Sequence, residues 1–149
     1  MIEVELVEEM PKDAVLSDYA VSEFDRVADA KTKLAYLIKN SRTWVISYFG
    51  EPMMMIGLYR LSMVGYGTRV WMISFEGFQF EYRRLMKYLR RGLRRLLCVC
   101  QHLSMAVCLD NRTNVRFAEH LGFTRTGKPF LENELCFQYF EMRSLYGRA

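Results

Sequence analysis

The sequence predicts a mixed α+β domain: a central, mostly antiparallel, twisted sheet of six to seven strands with about four helices, in the order β-α-α-β-β-β-α-β-α-β-β. Three observations predict it. A short run at the start of the chain alternates apolar with polar residues, as a half-buried strand does. A long central run instead repeats its apolar residues at three- and four-residue spacing, which buries one side of a helix. The 149 residues are 51% hydrophobic and show no linker, repeat or low-complexity segment, so 1–149 is expected to form a single domain around one core.

"IEVELVE" alternates apolar with acidic side chains and is the expected first strand, ended by Pro11. From Ala14 to about Asn40 the pattern is helical, with Val15, Tyr19, Phe24, Val27, Leu34, Leu37 and Ile38 as core candidates; two short helices fit better than one long one. "TWVISYF", a turn at "GEP" and "MMMIGLYRL" form a hairpin, and "GYGT" turns the chain into a third strand, "RVWMISF". A long helix follows from about Phe78 to His102, with Tyr82, Leu85, Met86, Leu89, Leu93, Leu96, Leu97 and Cys100 on one face. Gly92 in its middle costs near 1 kcal/mol relative to Ala, which suggests that another group approaches the backbone there. "SMAVCLD" is the next strand. "NRTNVRFAEHLGF" is a short helix, capped at Asn111 and stopped by Gly122, and strands around "FTRTG" and "ELCFQYFEMR" close the domain.

Several function classes are excluded by composition. No apolar run reaches the roughly 20 residues that span a bilayer, and "MIEVELVEEM" is acidic where a secretory signal is basic; the expected location is intracellular, in the cytoplasm. Cys98 and Cys100 lie two apart while Cys108 and Cys136 stand alone, so there is no CxxC pair. His102 and His120 complete no zinc spacing, and no metal site is expected. The four thiols are expected to be reduced and partly buried.

The net charge of +4 hides a segregation. Residues 1–30 hold nine acids against Lys12 and Arg26, a net of −7, whereas 83–95 hold seven cations and no acid. Those seven, Arg83, Arg84, Lys87, Arg90, Arg91, Arg94 and Arg95, fall on an arc of roughly 140° at 100° per residue, opposite the apolar face. Three readings compete for this arc. It is a solvated face whose stems cover apolar surface, a patch for an acidic protein surface or for self-association through the charged faces, or a non-specific contact for DNA phosphates. Ordinary surface helices mix signs to gain i,i+4 pairs, and this deficit argues for a partner.

The element order, closing on "LDNRTNVRFAEHLGF", resembles the GNAT superfamily of N-acetyltransferases. Members typically run Asn, an apolar helix turn, then Tyr-Glu-Lys-Leu-Gly-Phe just after the fifth strand. Asn111, Glu119, Leu121, Gly122 and Phe123 match that pattern here. The resemblance implies a GNAT-like fold over nearly the whole chain and, if the protein is active, acetyl-CoA as cofactor. Its binding would use Ser74 and Phe75 backbone groups at the acetyl end, the Gly77, Phe78, Gln79 and Phe80 amides at the pyrophosphate, and Asn111 near the pantetheine arm.

Two departures weigh against catalysis. The family's Arg/Gln-x-x-Gly-x-Gly/Ala loop, whose bare amides hold pyrophosphate at a helix N-terminus, is replaced by "FEGFQFEYRR", with one glycine and with Glu76 and Glu81 where the anion should sit. The tyrosine that many members use to protonate the leaving thiolate is Ala118; such general-acid work is worth roughly 10²- to 10⁴-fold. Tyr139 is the nearest alternative by pattern, although an inward-facing core tyrosine is the commoner reading.

The chain also resembles the small GNAT-like internal virion proteins of short-tailed phages, through Trp71-Met72-Ile73-Ser74, the Arg83–Arg95 helix and Asn111-Arg112-Thr113-Asn114-Val115-Arg116-Phe117. That resemblance implies an assembly role, with no cofactor expected, other virion or assembly proteins as partners, no membrane, and a virion interior as a second location. Against it stands an active acetyl-CoA-dependent N-acetyltransferase, and after that an electrostatic nucleic-acid binder.

Overall fold

The structure, a computed structural model, describes residues 1–12, 14–17, 30–60, 67–132 and 134–144. The elements are β1 (Ile2–Val7), α1 (Ala30–Asn40), β2 (Arg42–Tyr48), β3 (Glu51–Arg60), β4 (Thr68–Ser74), a 3-10 turn (Phe78–Phe80), α2 (Tyr82–Cys100), β5 (His102–Cys108), α3 (Arg112–Leu121), β6 (Thr124–Glu132) and β7 (Leu135–Arg143). Among the described residues seven strands run in the order β1-β2-β3-β4-β5-β7-β6. β1/β2, β2/β3, β5/β7 and β6/β7 are antiparallel, and β4/β5 is parallel. Among the described residues that parallel ladder consists of Thr68 with Leu103 and Arg69 with Ser104. The expected mostly antiparallel sheet is present.

The chain divides into two compact units, Met1–Tyr59 with Trp71–Glu81, and Arg60–Val70 with Tyr82–Ala149. In the first, Leu34 and Ile38 of α1 join Val45, Met55, Ile73 and Phe75 in a buried cluster, with Trp71 packed against it. The Trp71 indole lies so close to Gly57 that a Cβ there would run into the ring, and its Nε1 donates to Ser41 Oγ at 2.9 Å. Glycine at 57 is thus a packing requirement, made by one large side chain crossing a strand. The apolar side of β1 is less covered than its alternation predicts, with Val4 45% and Leu6 56% exposed.

In the second unit, α2 packs on α3 and β5. Leu85, Met86, Leu89, Leu93 and Leu97 are buried, which is the face the periodicity selects. Burying five such side chains is worth on the order of 10 kcal/mol before entropy, so this stripe is what holds the helix.

Several expectations need correction. Of the two helices expected between Ala14 and Asn40, the second is α1. The positions Tyr19, Phe24 and Val27 lie outside the described residues, and the described start of the first is not helical, since Leu16 bridges antiparallel to Phe75. Val15, an expected core contact, is 55% exposed. The long helix begins at Tyr82 rather than Phe78, because Gly77 takes the left-handed region at φ +92° and Phe78–Phe80 close a tighter turn. It ends at Cys100, followed by Gln101 at φ +63°. Among the described residues nothing lies within 4 Å of where a Cβ would stand at Gly92, and none of them makes the close approach expected there. β6 runs on past "FTRTG" through Pro129, with a register shift between Thr126 and Phe130. Its edge position explains why a residue lacking the N–H is accepted there.

Candidate functional site

In the first unit, the end of β4 carries most of the positions assigned to an acyl-CoA. Alternate residues of a strand point their backbone groups to opposite sides, and both sides are occupied here. The Phe75 amide donates to Met53 O at 2.8 Å on one side. On the other, Ser17 N donates to Ser74 O at 3.0 Å and Glu76 N to Val15 O at 2.8 Å. The hydroxyls of Ser17 and Ser74 meet at 2.6 Å. Residues 15–17 therefore form a short strap along the end of β4, and the Ser74 carbonyl and Phe75 amide expected to meet an acetyl end are engaged within the chain.

The turn that follows is self-satisfied in the same way. Phe78 N donates to Phe75 O at 3.3 Å, Phe80 N to Gly77 O at 3.1 Å and Glu81 N to Phe78 O at 3.1 Å. Two of the amides expected to cradle pyrophosphate, those of Phe78 and Phe80, thus point into their own turn. Gly77 is fixed by its backbone angle rather than by space, since a Cβ would find only Met53 Cε and Sδ at 3.6 and 3.8 Å. The two phenylalanines of the turn part ways: Phe78 is buried and Phe80 is 80% exposed. Gln79 and Glu76 are exposed beside it. As built, the turn offers a diphosphate a carboxylate and a phenyl ring more readily than a row of amides.

In the second unit, α3 has the ends its sequence predicts. Asn111 Oδ1 accepts from Asn114 N at 3.2 Å, the N-cap bond that satisfies one orphan amide. Gly122, at φ +105°, and Phe123 send their amides back to Glu119 O and Ala118 O, closing the helix as a Schellman motif. Phe123 is 2% exposed and Ala118 fully buried, so position 118 has neither a hydroxyl nor a path to solvent. Tyr139, the alternative proton donor, is half-buried. Its ring lies 4.1 Å beneath the Arg69 guanidinium carbon and 5.0 Å from the Phe130 ring centroid, a stacking role.

A pair not singled out from the sequence lies where α2 begins and α3 ends. Tyr82 OH is 3.0 Å from His120 Nδ1, and Arg90 Nε donates to His120 O at 2.6 Å. Burial raises the Tyr82 pKa while Arg90 pulls it the other way, so at neutral pH the hydroxyl keeps its proton and can donate it. Only a helical wheel on each helix together with their contact brings residues 82 and 120 together; no local motif marks them. A second titratable cluster sits on β5 and β7, where His102 Nε2 lies 2.9 Å and Arg143 3.3 Å from Glu141 Oε2. The His102 hydrogen bond holds the Glu141 carboxyl below the usual carboxylate range, burial opposes that, and Arg143 adds to the lowering.

All seven cations of α2 are exposed. Among the described residues Arg83, Lys87, Arg90, Arg91, Arg94 and Arg95 form no ion pair with an acid. Of the thiols, Cys108 is buried, Cys100 and Cys136 are half-buried, and Cys98 is exposed, against the expectation of burial. No helix among the described residues is long and apolar enough to cross a membrane.

No family model matches the sequence, and no curated protein is similar to it in sequence. Solved structures are similar in fold. An IAA acetyltransferase from Bacillus cereus superposes with a TM-score of 0.65 at 13% identity, covering 97% of this chain and 100% of its own. A GNAT family acetyltransferase from Elizabethkingia anophelis with acetyl-CoA bound gives 0.65 at 12%, covering 96% and 98%. A Bacillus subtilis acetyltransferase in complex with CoA gives 0.68 at 10%, covering 97% and 100%. Over essentially its whole length, this chain has the GNAT acetyltransferase fold.

Proposed function

We propose that the chain is an acetyl-CoA-dependent N-acetyltransferase of low turnover. The observation that carries this reading is the end-to-end likeness to acetyltransferases, two of them holding acetyl-CoA or CoA, with the Asn111 cap and the Leu121-Gly122-Phe123 stop of α3 in place. In such a reaction an amine nitrogen attacks the thioester carbonyl, the carbon–sulfur bond breaks, the nitrogen gives up a proton and the leaving thiolate takes one. Positioning supplies much of that acceleration. Ala118 has no proton to give, and Tyr139 stacks under Arg69. Within the second unit the Tyr82 hydroxyl, 3.0 Å from His120 Nδ1, keeps its proton at neutral pH. Residues 15–17 hold the C-terminal end of β4, so they must yield before an extended ligand can pair there, which weakens binding and slows turnover. These acetyltransferases favour the enzyme over a phage virion role, which rests on the resemblance of Trp71–Ser74, the basic helix and Asn111–Phe117.

Calorimetric titration with acetyl-CoA and CoA tests the proposal, followed by CoA release across a panel of amines. The expected result is binding weaker than micromolar, and turnover below the usual 1–10³ per second. Ser17→Ala, which removes the 2.6 Å hydroxyl contact with Ser74, is expected to tighten binding. No heat and no thermal stabilisation up to millimolar cofactor, in the parent and in Ser17→Ala alike, would overturn it. A second reading, a non-catalytic assembly protein on this fold, is favoured by the self-satisfied β4 end and turn. It predicts that null result together with concentration-dependent oligomers in sedimentation.

A further inference from the structure

We infer that the exposed face of α2 docks the phosphate backbone of a nucleic-acid duplex, without reading its sequence. The face is costly to the helix that carries it. Arg83–Lys87, Lys87–Arg90, Lys87–Arg91, Arg90–Arg94 and Arg91–Arg95 stand three or four residues apart with one sign, and each such pair costs a few tenths of a kcal/mol. The helix dipole adds to this. α2 has no acid in its first turn and no base in its last, while Arg83 and Arg84 crowd its positive end. That is the reverse of the arrangement that stabilises a helix. The helix stands because Leu85 and Leu93 are 0% and 1% exposed on its other side. Arg90 Nε is tied to His120 O at 2.6 Å, but the run as a whole opposes the helix that carries it, and the dipole and side chains together raise positive potential at its N-terminal half.

The charge density matches one class of partner. Seven cations lie within about 18 Å of helix rise, and a duplex presents about ten phosphates over the same length. Six of the seven are arginines, whose planar fork takes a phosphate bidentately. A matching protein surface would need a comparably dense single-signed run of carboxylates, with the same self-repulsion. An anionic membrane surface calls for apolar anchors interleaved with the cations. The arc lacks them: Tyr88 is only 38% exposed, and Val99, at 81%, lies beyond its end. Nothing in the arc is an Asn or Gln placed to read base edges, so binding is expected to follow charge alone. The inference does not depend on acetyl transfer.

Fluorescence anisotropy on a labelled DNA duplex of about 20 base pairs, titrated at several salt concentrations, tests it. The expected slope of log K against log salt lies between about −4 and −6, the same for unrelated sequences. Replacing Arg91, Arg94 and Arg95 together by Gln is expected to reduce that slope by about 3 with the circular dichroism spectrum unchanged. Lys128→Gln, on the exposed edge strand β6, is expected to leave it unaltered. No binding at low salt overturns the inference, as does a slope that the triple substitution leaves in place. Polyglutamate or anionic vesicles bound as tightly as the duplex, or self-association abolished by the triple substitution with no duplex binding, would assign the face to a different partner.

Discussion

α2 and α3 share a unit and are built on opposite principles. α3 spans ten residues and is closed at both ends by local signals: an Asn cap, a left-handed glycine, and His120 in its last turn. Its Glu119 lies 3.6 Å from Arg125. α2 is nearly twice as long and uses none of these. It has a glycine in mid-span, one sign of charge and that charge at the wrong end of its dipole. Burial and the contacts of Tyr82 and Arg90 with His120 hold α2, whereas the rest of its solvent side is left to electrostatics. A helix whose local chemistry opposes it stands only where packing over-determines it, and the surplus on its other face is then free to serve a partner.

If α3 depends on its ends, breaking one should be the largest effect. Gly122→Ala forces an L side chain to φ +105° and puts a methyl 3.3 Å from Met142 Cε. The methionine tip can give way, but the backbone angle cannot. The expected loss is about 1–2 kcal/mol, read as a fall in Tm of roughly 3–6 °C for a chain of this size. No change in melting would mean that α3 is held by its buried face alone.

That difference also explains which parts were legible in the sequence. The α3 region could be read residue by residue, because caps and stops are local signals. Asn111, Gly122 and Phe123 stand in the structure as their types require. The apolar face of α2 was equally plain from spacing. What surrounds the turn after β4 was not legible. The bond from Ser17 to Ser74 joins residues 57 apart, and an amide in "EGFQF" looks open until its acceptor is known. Nor could spacing tell that Phe78 turns inward while Phe80 turns out, or that Tyr82 and His120 would meet. Residue type predicts local geometry well, and it predicts which polar groups remain available poorly, since availability is decided by distant chain.

A smaller effect of opposite sign is expected in α2. With none of the described residues within 4 Å of its missing Cβ, Gly92 is expected to accept alanine at no steric cost. The helix should then gain about 0.5–1 kcal/mol, a rise in Tm of roughly 2–4 °C. Lower stability would show that something does approach the backbone there, and the contrast between a packed inner face and an open outer face would have to be redrawn.

The smallest effect on stability is also the sharpest on the comparison. Arg83→Glu puts an acid in the first turn of α2, one turn ahead of Lys87. It turns a repulsive i,i+4 pair into an attractive one and complements the dipole. Together these should raise stability by several tenths of a kcal/mol. The same substitution removes one cation and adds one anion on the proposed phosphate-binding face, so duplex affinity should fall and the salt slope should shallow by about 1–2. Chemical denaturation and anisotropy on the same preparation read the two quantities side by side. Opposite signs would mean that α2 trades stability for its partner. A loss in both would mean that Arg83 serves the fold, and the helix would then be another element optimised for itself.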